Sequence, residues 1–356
     1  MSGTRCMLMR GGTSKGAYFL ATDLPADRAE RDSMLLRAMG SPDPRQIDGI
    51  GGGHPLTSKV AVISPSARPD ADVDYLFLQV AVDAAGVTDA QNCGNILAGV
   101  GPFAVERGLV PARAAETSVR IYQVNSRSIA TATFPTAQDG TVDYNGDAEI
   151  AGVPGAAAPI RLTFADTAGS TCGSLFPSGN LSDDVDGVQV TCIDNGMPVV
   201  LIRAAGVGIT GTESPPDLEA NTALADRLAV IRDQAGKLMG FDDLTGLSIP
   251  KITLVAPPAD GGTLSTRTFI PVRAHTSIGV LGALTVAAAA HIPGTVAHQV
   301  AASTTQTVRI EHPTGFLDCC IDVTSSTGGH PTVEGAAVLR TARKLFDGEV
   351  FPAPPH

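Results

Sequence analysis

The stretch MRGGTSKG, Met9 to Gly16, sets glycines, two hydroxyls and two cations side by side. Arg10, Gly12, Thr13, Ser14 and Lys15 have the composition of a turn that can cradle an anion. The stretch is not a phosphate loop. That pattern needs Gly before its Lys and Ser or Thr after it, whereas Ser14 precedes Lys15 and Gly16 follows. Taken alone, it fits a tight hairpin turn as well as an N–H nest for a carboxylate. A second candidate is Cys93 in DAQNCGNI, flanked by Asn92, Gly94 and Asn95 and placed just before an apolar segment. A helix N-terminus favours a thiolate and offers free N–H groups, so a thiol there can act as general acid or base. The plainer reading is a small core cysteine; the polar and glycine neighbours speak against it. Lys59 follows the glycine-rich GIGGGHPLTS. It is either a solvated charge at a strand mouth or, drawn into a pocket, a base. Thr171 and Cys172 in AGSTCGS form a second site thiol or an ordinary loop. Arg273, His275, Thr276 and Ser277 precede another apolar segment, where capping and surface roles are the plain reading. The histidines show no HxH or HxxxH spacing, and no metal set is expected.

These residues need elements to hold them. RCMLM and GAYFL read as strands around the first turn. PADRAERDSMLLRAMG reads as a helix with early acids and a closing Gly40. SKVAVIS and VDYLFLQVAV read as strands. The segment from Cys93 to Gly108 is small and apolar on nearly every face, so it should be a helix buried all round. Pro102 inside it must kink it or leave a carbonyl unpaired. The second half repeats the plan. Strands flank Asn195 and Gly196, DLEANTALADRLAVIRDQAGKLMG is an amphipathic helix, and a second all-apolar helix is expected from Ser277. The two apolar helices start just over half the chain apart, and the strands come in hairpin-like pairs. Sheets wrapping one central helix per half fit this better than a plain parallel fold.

Composition bounds the partners. The chain has 356 residues, 43% hydrophobic and 17% charged, which is enough for two domains. A net charge of −11 disfavours nucleic acid and anionic membrane as partners, leaving an anionic small molecule only in a locally positive pocket. The cysteines include the adjacent Cys319 and Cys320 but no CxxC, and read as reduced thiols of a cytoplasmic protein. The start has no apolar signal segment, and the apolar run Ile278 to Ala290 is too short for a bilayer.

Taken together, MRGGTSKGAYF, GSPDPRQIDGIGG, LTSKVAV, DVDYLFLQV, QNCGNILAGVGPFA, CIDNGMPVV, RAHTSIGVLGALTVA and LRTARKLFDGEVF resemble the PrpF-type isomerases. The resemblance spans about residue 5 to residue 351. It implies an α+β, diaminopimelate-epimerase-like fold of two pseudo-repeated domains, each with sheets wrapped around a central buried helix and the active site between them. The expected domains are residues 1–183 and 184–356, with the last strand free to return to the first. The resemblance also implies a cofactor-free proton shift with Lys59 and Cys93 as paired acid and base. Two-thiol epimerases carry a cysteine at each central helix; here Thr276 and Ser277 stand at the second, which fits a Lys–Cys isomerase. Arg10, Gly12, Thr13, Ser14, Lys15, Asn92, Gly94, Asn95, Thr171, Cys172, Arg273, His275, Thr276 and Ser277 are the expected substrate ligands. The expected substrate is a small tricarboxylate, 4-oxalomesaconate, undergoing isomerisation or tautomerisation in aromatic-acid catabolism. Methylaconitate, methylitaconate and aconitate are the alternatives. A non-catalytic carboxylate-binding protein is the reading from another class. A homodimer is left open.

Overall fold

The computed structural model describes residues 3–354, apart from 91, 272, 304 and 325–330. Two compact units emerge. Unit 1 comprises Met1–Thr163 with Arg340–His356, and unit 2 comprises Phe164–Leu339.

In unit 1, strands β1 (Thr4–Gly11) and β2 (Ser14–Leu20) form a hairpin closed at the glycine-rich turn. Helix α1 (Arg28–Met39) follows, capped by the Asp27 carboxylate on the Glu30 N–H and closed by Gly40 in the left-handed region. It links β2 to β3 (Lys59–Pro65), its parallel neighbour. Strand β4 (Val73–Val80) is antiparallel to β3, and β5 (Val87–Thr88) is a short addition. Then come helix α2 (Gly94–Glu106), strands β6 (Ala115–Gln123) and β7 (Ser128–Thr136), and β8 (Pro159–Phe164). Strand β6 runs parallel to β4 and antiparallel to β7. Every residue of α2 from Ile96 to Ala104 is buried, against β1, β2, β3, β4, β6 and β7. Pro102 stays inside the helix, so the Ala98 carbonyl loses its helical donor. Leu35, Ala38 and Met39 of α1 pack with Ala17, Phe19, Val60 and Val62 on the outer face of the same sheet. The strands are thus buried on both faces, which explains their near-continuous apolar runs.

Unit 2 continues with β9 (Asp183–Val185), β10 (Val188–Asp194) and β11 (Pro198–Arg203), then helices α3 (Pro215–Ala220) and α4 (Thr222–Leu238). Strands β12 (Lys251–Ala256), β13 (Leu264–Ile270) and β14 (Arg273–Ala274) precede helix α5 (Val280–His291). The remaining strands are β15 (Thr307–His312), β16 (Gly315–Thr324) and β17 (Thr332–Val350). Their pairing follows the order of unit 1: β10–β11 antiparallel, β11–β12 parallel across α4, β12–β13 antiparallel, β13–β15 parallel across α5, β15–β16 antiparallel. Helix α5 is buried from Gly282 to Ala290, and α4 covers the other face through Leu224, Leu228 and Ile231.

Two boundaries differ from the sequence reading. The first unit ends at Thr163 rather than 183, because residues 169–175 fold onto the end of β10 and β9 pairs with β10. Helix α5 starts at Val280, after Gly279, rather than at Ser277. The Ser277 N–H is taken by His275 Nδ1, and the first helical bond runs from Ala283 N–H to the Gly279 carbonyl. Strand β17 spends its first part beside β16 and its last part beside β1, so Arg340–His356 belong to unit 1. Among the described residues no helix is long and apolar enough to cross a membrane.

Candidate active site

In unit 1 several of the candidate residues lie on the sheet face turned toward α2. Strand alternation puts Lys59, Ala61 and Ile63 of β3 on this face, opposite Gln79, Phe77 and Tyr75 of β4. Lys59 is 8% exposed. Its ammonium donates to Gln79 Oε1 at 3.0 Å and lies 5.1 Å from the centre of the Phe77 ring. The Gln79 amide nitrogen donates to the carbonyls of Pro55, Ser58 and Val80, which turns its oxygen toward the lysine. Among the described residues no carboxylate is within ion-pair distance of Lys59. The loop before Lys59 is wound around Gln46, whose buried amide accepts from Ser58 Oγ at 2.7 Å and Gly53 N–H at 2.9 Å.

Cys93, also 8% exposed, is the N-cap residue of α2. Its side chain makes no capping bond. The N–H groups of Gly94, Asn95 and Ile96 precede the first helical bond, Leu97 N–H to the Cys93 carbonyl at 3.0 Å. This end of α2 meets the first hairpin through absent side chains. A Cβ on Gly16 would lie 2.7 Å from the Lys59 carbonyl oxygen and 3.0 Å from Ile96 Cδ1, so Lys59 and the first turn of α2 converge on that glycine. A Cβ on Gly11 would strike the Asn95 carbonyl, and one on Gly12, which has a φ of +52°, would strike Asn95 Oδ1. Asn95 Nδ2 donates to Thr13 Oγ1 at 3.0 Å, while Asn95 Oδ1 and the 3%-exposed Ser14 Oγ are buried with no protein partner. Ser14 pairs with Gly11 on the α2 face.

Arg10 and Lys15 stand opposite each other in the β1–β2 register. Alternation from Gly11, Ser14 and Gly16 puts both on the face away from α2. The Arg10 guanidinium donates to the Gly12 carbonyl and to the carbonyl and hydroxyl of Thr341 at 2.9–3.1 Å. It braces the turn through Gly12 and Thr341. Asn92 is exposed.

Unit 2 holds the other expected ligands in two clusters. Asp194, fully buried at the end of β10, accepts the N–H groups of Thr171 and Cys172 at 2.7 and 2.8 Å, and its other oxygen has no partner. Burial holds its carboxyl above the usual range against those bonds. Burial, then Asp194, pushes the Cys172 thiol up to about 12. Before α5, the Ser277 hydroxyl lies 3.3 Å from His312 Nε2, and Thr314 Oγ1 donates to the Thr276 carbonyl at 2.9 Å. His275 Nδ1 accepts the Ser277 N–H, so its neutral ring carries the proton on Nε2. Burial, then Lys251, lowers the His275 pKa and keeps the ring neutral. Arg273 is exposed. Among the described residues no group of His, Cys, Asp or Glu is arranged to hold a metal ion.

The family described as PrpF protein matches residues 1–353. The chain belongs to the PrpF family. A (4E)-oxalomesaconate Delta-isomerase of Novosphingobium is 59% identical, over 99% of this chain and 98% of that one. A 4-oxalomesaconate tautomerase of Pseudomonas putida is 56% identical, over 97% and 95%. The crystal structure of a methylitaconate-delta-isomerase, 37% identical, superposes with a TM-score of 0.86 over 98% of this chain and 95% of that one. This PrpF-family chain is an isomerase. Its sequence reading missed Gln79, Gln46, Tyr18, Tyr75, Asp194 and His312. Alternation in DVDYLFLQV does place Tyr75, Phe77 and Gln79 on one face. Nothing local in the sequence says that this face meets Cys93.

Proposed function

We propose that this PrpF-family enzyme isomerises 4-oxalomesaconate by a proton shift between Lys59 and Cys93. The observation that carries the reading is that the Lys59 backbone and Ile96, in the first turn of the helix that Cys93 caps, both abut Gly16. A carbon next to a conjugated alkene or keto group gives its proton to one of the two side chains. The electron pair left behind delocalises as a dienolate, and the other side chain returns a proton to a different carbon or oxygen, so atoms and charge balance. Negative charge grows toward the transition state. The N–H groups of Gly94, Asn95 and Ile96 and the Ser14 hydroxyl supply fixed donors for it, and fixed donors favour the transition state over the ground state. Gly12 and Thr13 shape the turn, and Asn95 ties the turn to α2. Thr171, Cys172, Arg273, His275, Thr276 and Ser277 are proposed carboxylate ligands of unit 2, with His275 donating through Nε2. No cofactor enters this scheme. The two-domain, diaminopimelate-epimerase-like plan, with one central helix per unit, is part of the same proposal, as is a cytoplasmic location.

The test is an ultraviolet absorbance assay over a panel of unsaturated tricarboxylates in deuterium oxide, with the exchanged carbon located by NMR. Turnover of 4-oxalomesaconate well above that of methylaconitate, methylitaconate and aconitate is the expected result. Preference for one of those three would overturn the substrate assignment and keep the isomerase.

A further inference from the structure

Two phenols lie buried against the first turn of α2, and the mechanism above does not use them. Tyr18 of β2 donates its hydroxyl to the Ile96 carbonyl at 2.5 Å. Tyr75 of β4 donates to the Cys93 carbonyl at 3.4 Å. Neither ring has any solvent exposure, and burial raises both phenol pKa values far above the ordinary range, so both hydroxyls remain donors. The fit of Tyr18 depends on absent side chains. A Cβ on Gly11 would lie 3.0 Å from its hydroxyl, and one on Gly99 would lie 2.7 Å from Cζ.

The bonds form a chain. The Ile96 carbonyl shares its peptide with the Leu97 N–H. That N–H donates to the Cys93 carbonyl at 3.0 Å, where the Tyr75 bond also arrives. The Cys93 carbonyl shares its peptide with the Gly94 N–H, the first donor of the helix and the one next to the thiol. A donor on a peptide oxygen polarises the N–H of the same peptide, and successive bonds in a low-dielectric interior strengthen one another. Both hydroxyls therefore act on Gly94 without touching a ligand of the helix end.

We propose that Tyr18 and Tyr75 are positioning residues whose hydroxyls feed one hydrogen-bonded peptide chain ending on the Gly94 N–H beside Cys93. The catalytic part of this inference rests on the reading of that helix end as the place where the reaction's negative charge is held; the peptide chain itself does not.

The sequence supplies a selective probe. Only Cys93–Gly94 and Cys172–Gly173 join Cys to Gly in this chain. Labelling with carbonyl-13C cysteine and 15N glycine therefore yields two correlated amide signals, with Gly173 as internal control. Tyr75→Phe should move the Cys93 carbonyl and Gly94 proton signals upfield. Tyr18→Phe should move the same pair in the same direction by less, although its hydroxyl does not touch Cys93. The Gly173 signal should stay in place. Each variant should lose about 2- to 10-fold in kcat, the range one neutral hydrogen bond contributes, with a smaller change in KM. If a Phe variant fails to fold, 3-fluorotyrosine at position 18, a stronger donor, should move the Gly94 proton downfield. A Gly94 signal that ignores the residue at position 18 in a folded protein overturns the proposal. So does a moved signal with unchanged kcat on a turned-over substrate. A wild-type enzyme inactive on every tricarboxylate would overturn the reaction reading alone, since the NMR shifts need no substrate.

Discussion

Lys59 and Cys93 differ from the other polar groups in what surrounds them. Lys59 meets an amide oxygen and an aromatic face. Cys93 is an N-cap residue whose thiol caps nothing. General acid–base groups typically contribute about 10²–10⁴-fold, so Lys59→Met and Cys93→Ser should each lose that much turnover. Substrate binding should persist in an equilibrium titration, and the variant lacking the base should no longer exchange substrate C–H for deuterium. Near wild-type turnover in both would end the mechanism. Cys172 has the opposite surroundings. Its thiol, held up at about 12 and directed at Asp194, is protonated throughout the working range. Cys172→Ser keeps a hydroxyl donor there and should retain most of the turnover. In mass-spectrometric mapping after iodoacetamide treatment at about pH 8, Cys172 should stay unlabelled because the thiolate is the nucleophile.

At the level of elements, α2 is held by what its neighbours lack. Gly→Ala in a helix normally gains up to about 1 kcal/mol. At Gly99 the new methyl would press on the Tyr18 ring, and overpacking costs roughly 1–3 kcal/mol. The second effect is larger, so Gly99→Ala should lower the thermal midpoint and also slow turnover by displacing the Tyr18 hydroxyl. A variant with a higher midpoint would contradict the packing. In unit 2 the 169–173 loop hangs on Asp194. Its carboxyl pKa is higher in the folded protein than in the unfolded chain, where an aspartate titrates near about 3.9. Its stabilising contribution is therefore complete below that value and is lost as pH rises through the folded pKa. Asn at this position does not titrate, and its amide oxygen can still accept from Thr171 and Cys172. The midpoint of Asp194→Asn relative to wild type should thus climb as pH rises from about 4. A difference independent of pH would show that the carboxyl is not destabilised by burial.

For the whole chain, the last strand matters most to unit 1. Residues 340–356 supply the antiparallel partner of β1, the Thr341 acceptors of Arg10 and the Asp347 carboxylate that clamps Arg107 at 2.7 and 2.9 Å. The Arg107 side chain is only 3% exposed. Stranding the cation of this half-buried pair costs up to about 3 kcal/mol, against a total stability of about 5–15 kcal/mol. Losing the β1 pairing as well should exceed what remains. A chain ending at Leu339 should therefore lose the native circular dichroism of unit 1 and all turnover, however intact unit 2 remains. A soluble, active truncation would mean that β1 is stable without its partner.

The sequence by itself carried the family and the isomerase activity, through contiguous motifs such as QNCGN and LTSKV that resemble those of the PrpF-type isomerases. It also carried the two buried helices, because an all-apolar helix has nowhere to sit but a core. The pair Lys59 and Cys93 is what that resemblance implies. Only the tertiary structure decided which side chains face α2. The glycine-rich turn sets Arg10 and Lys15 within four residues of Ser14 in sequence, while the strand register and β alternation place Arg10 and Lys15 opposite each other on the face away from Ser14. Likewise, Ser277 looked like a helix start, yet the His275 ring takes its N–H and delays the helix to Val280. Gln79, Tyr18, Tyr75 and Asp194 read as core or turn residues because their partners lie 18 to 78 positions away. A side chain's role there is set by the register of paired strands and the helix packed on them, and that register is a property of the folded sheet rather than of any one segment.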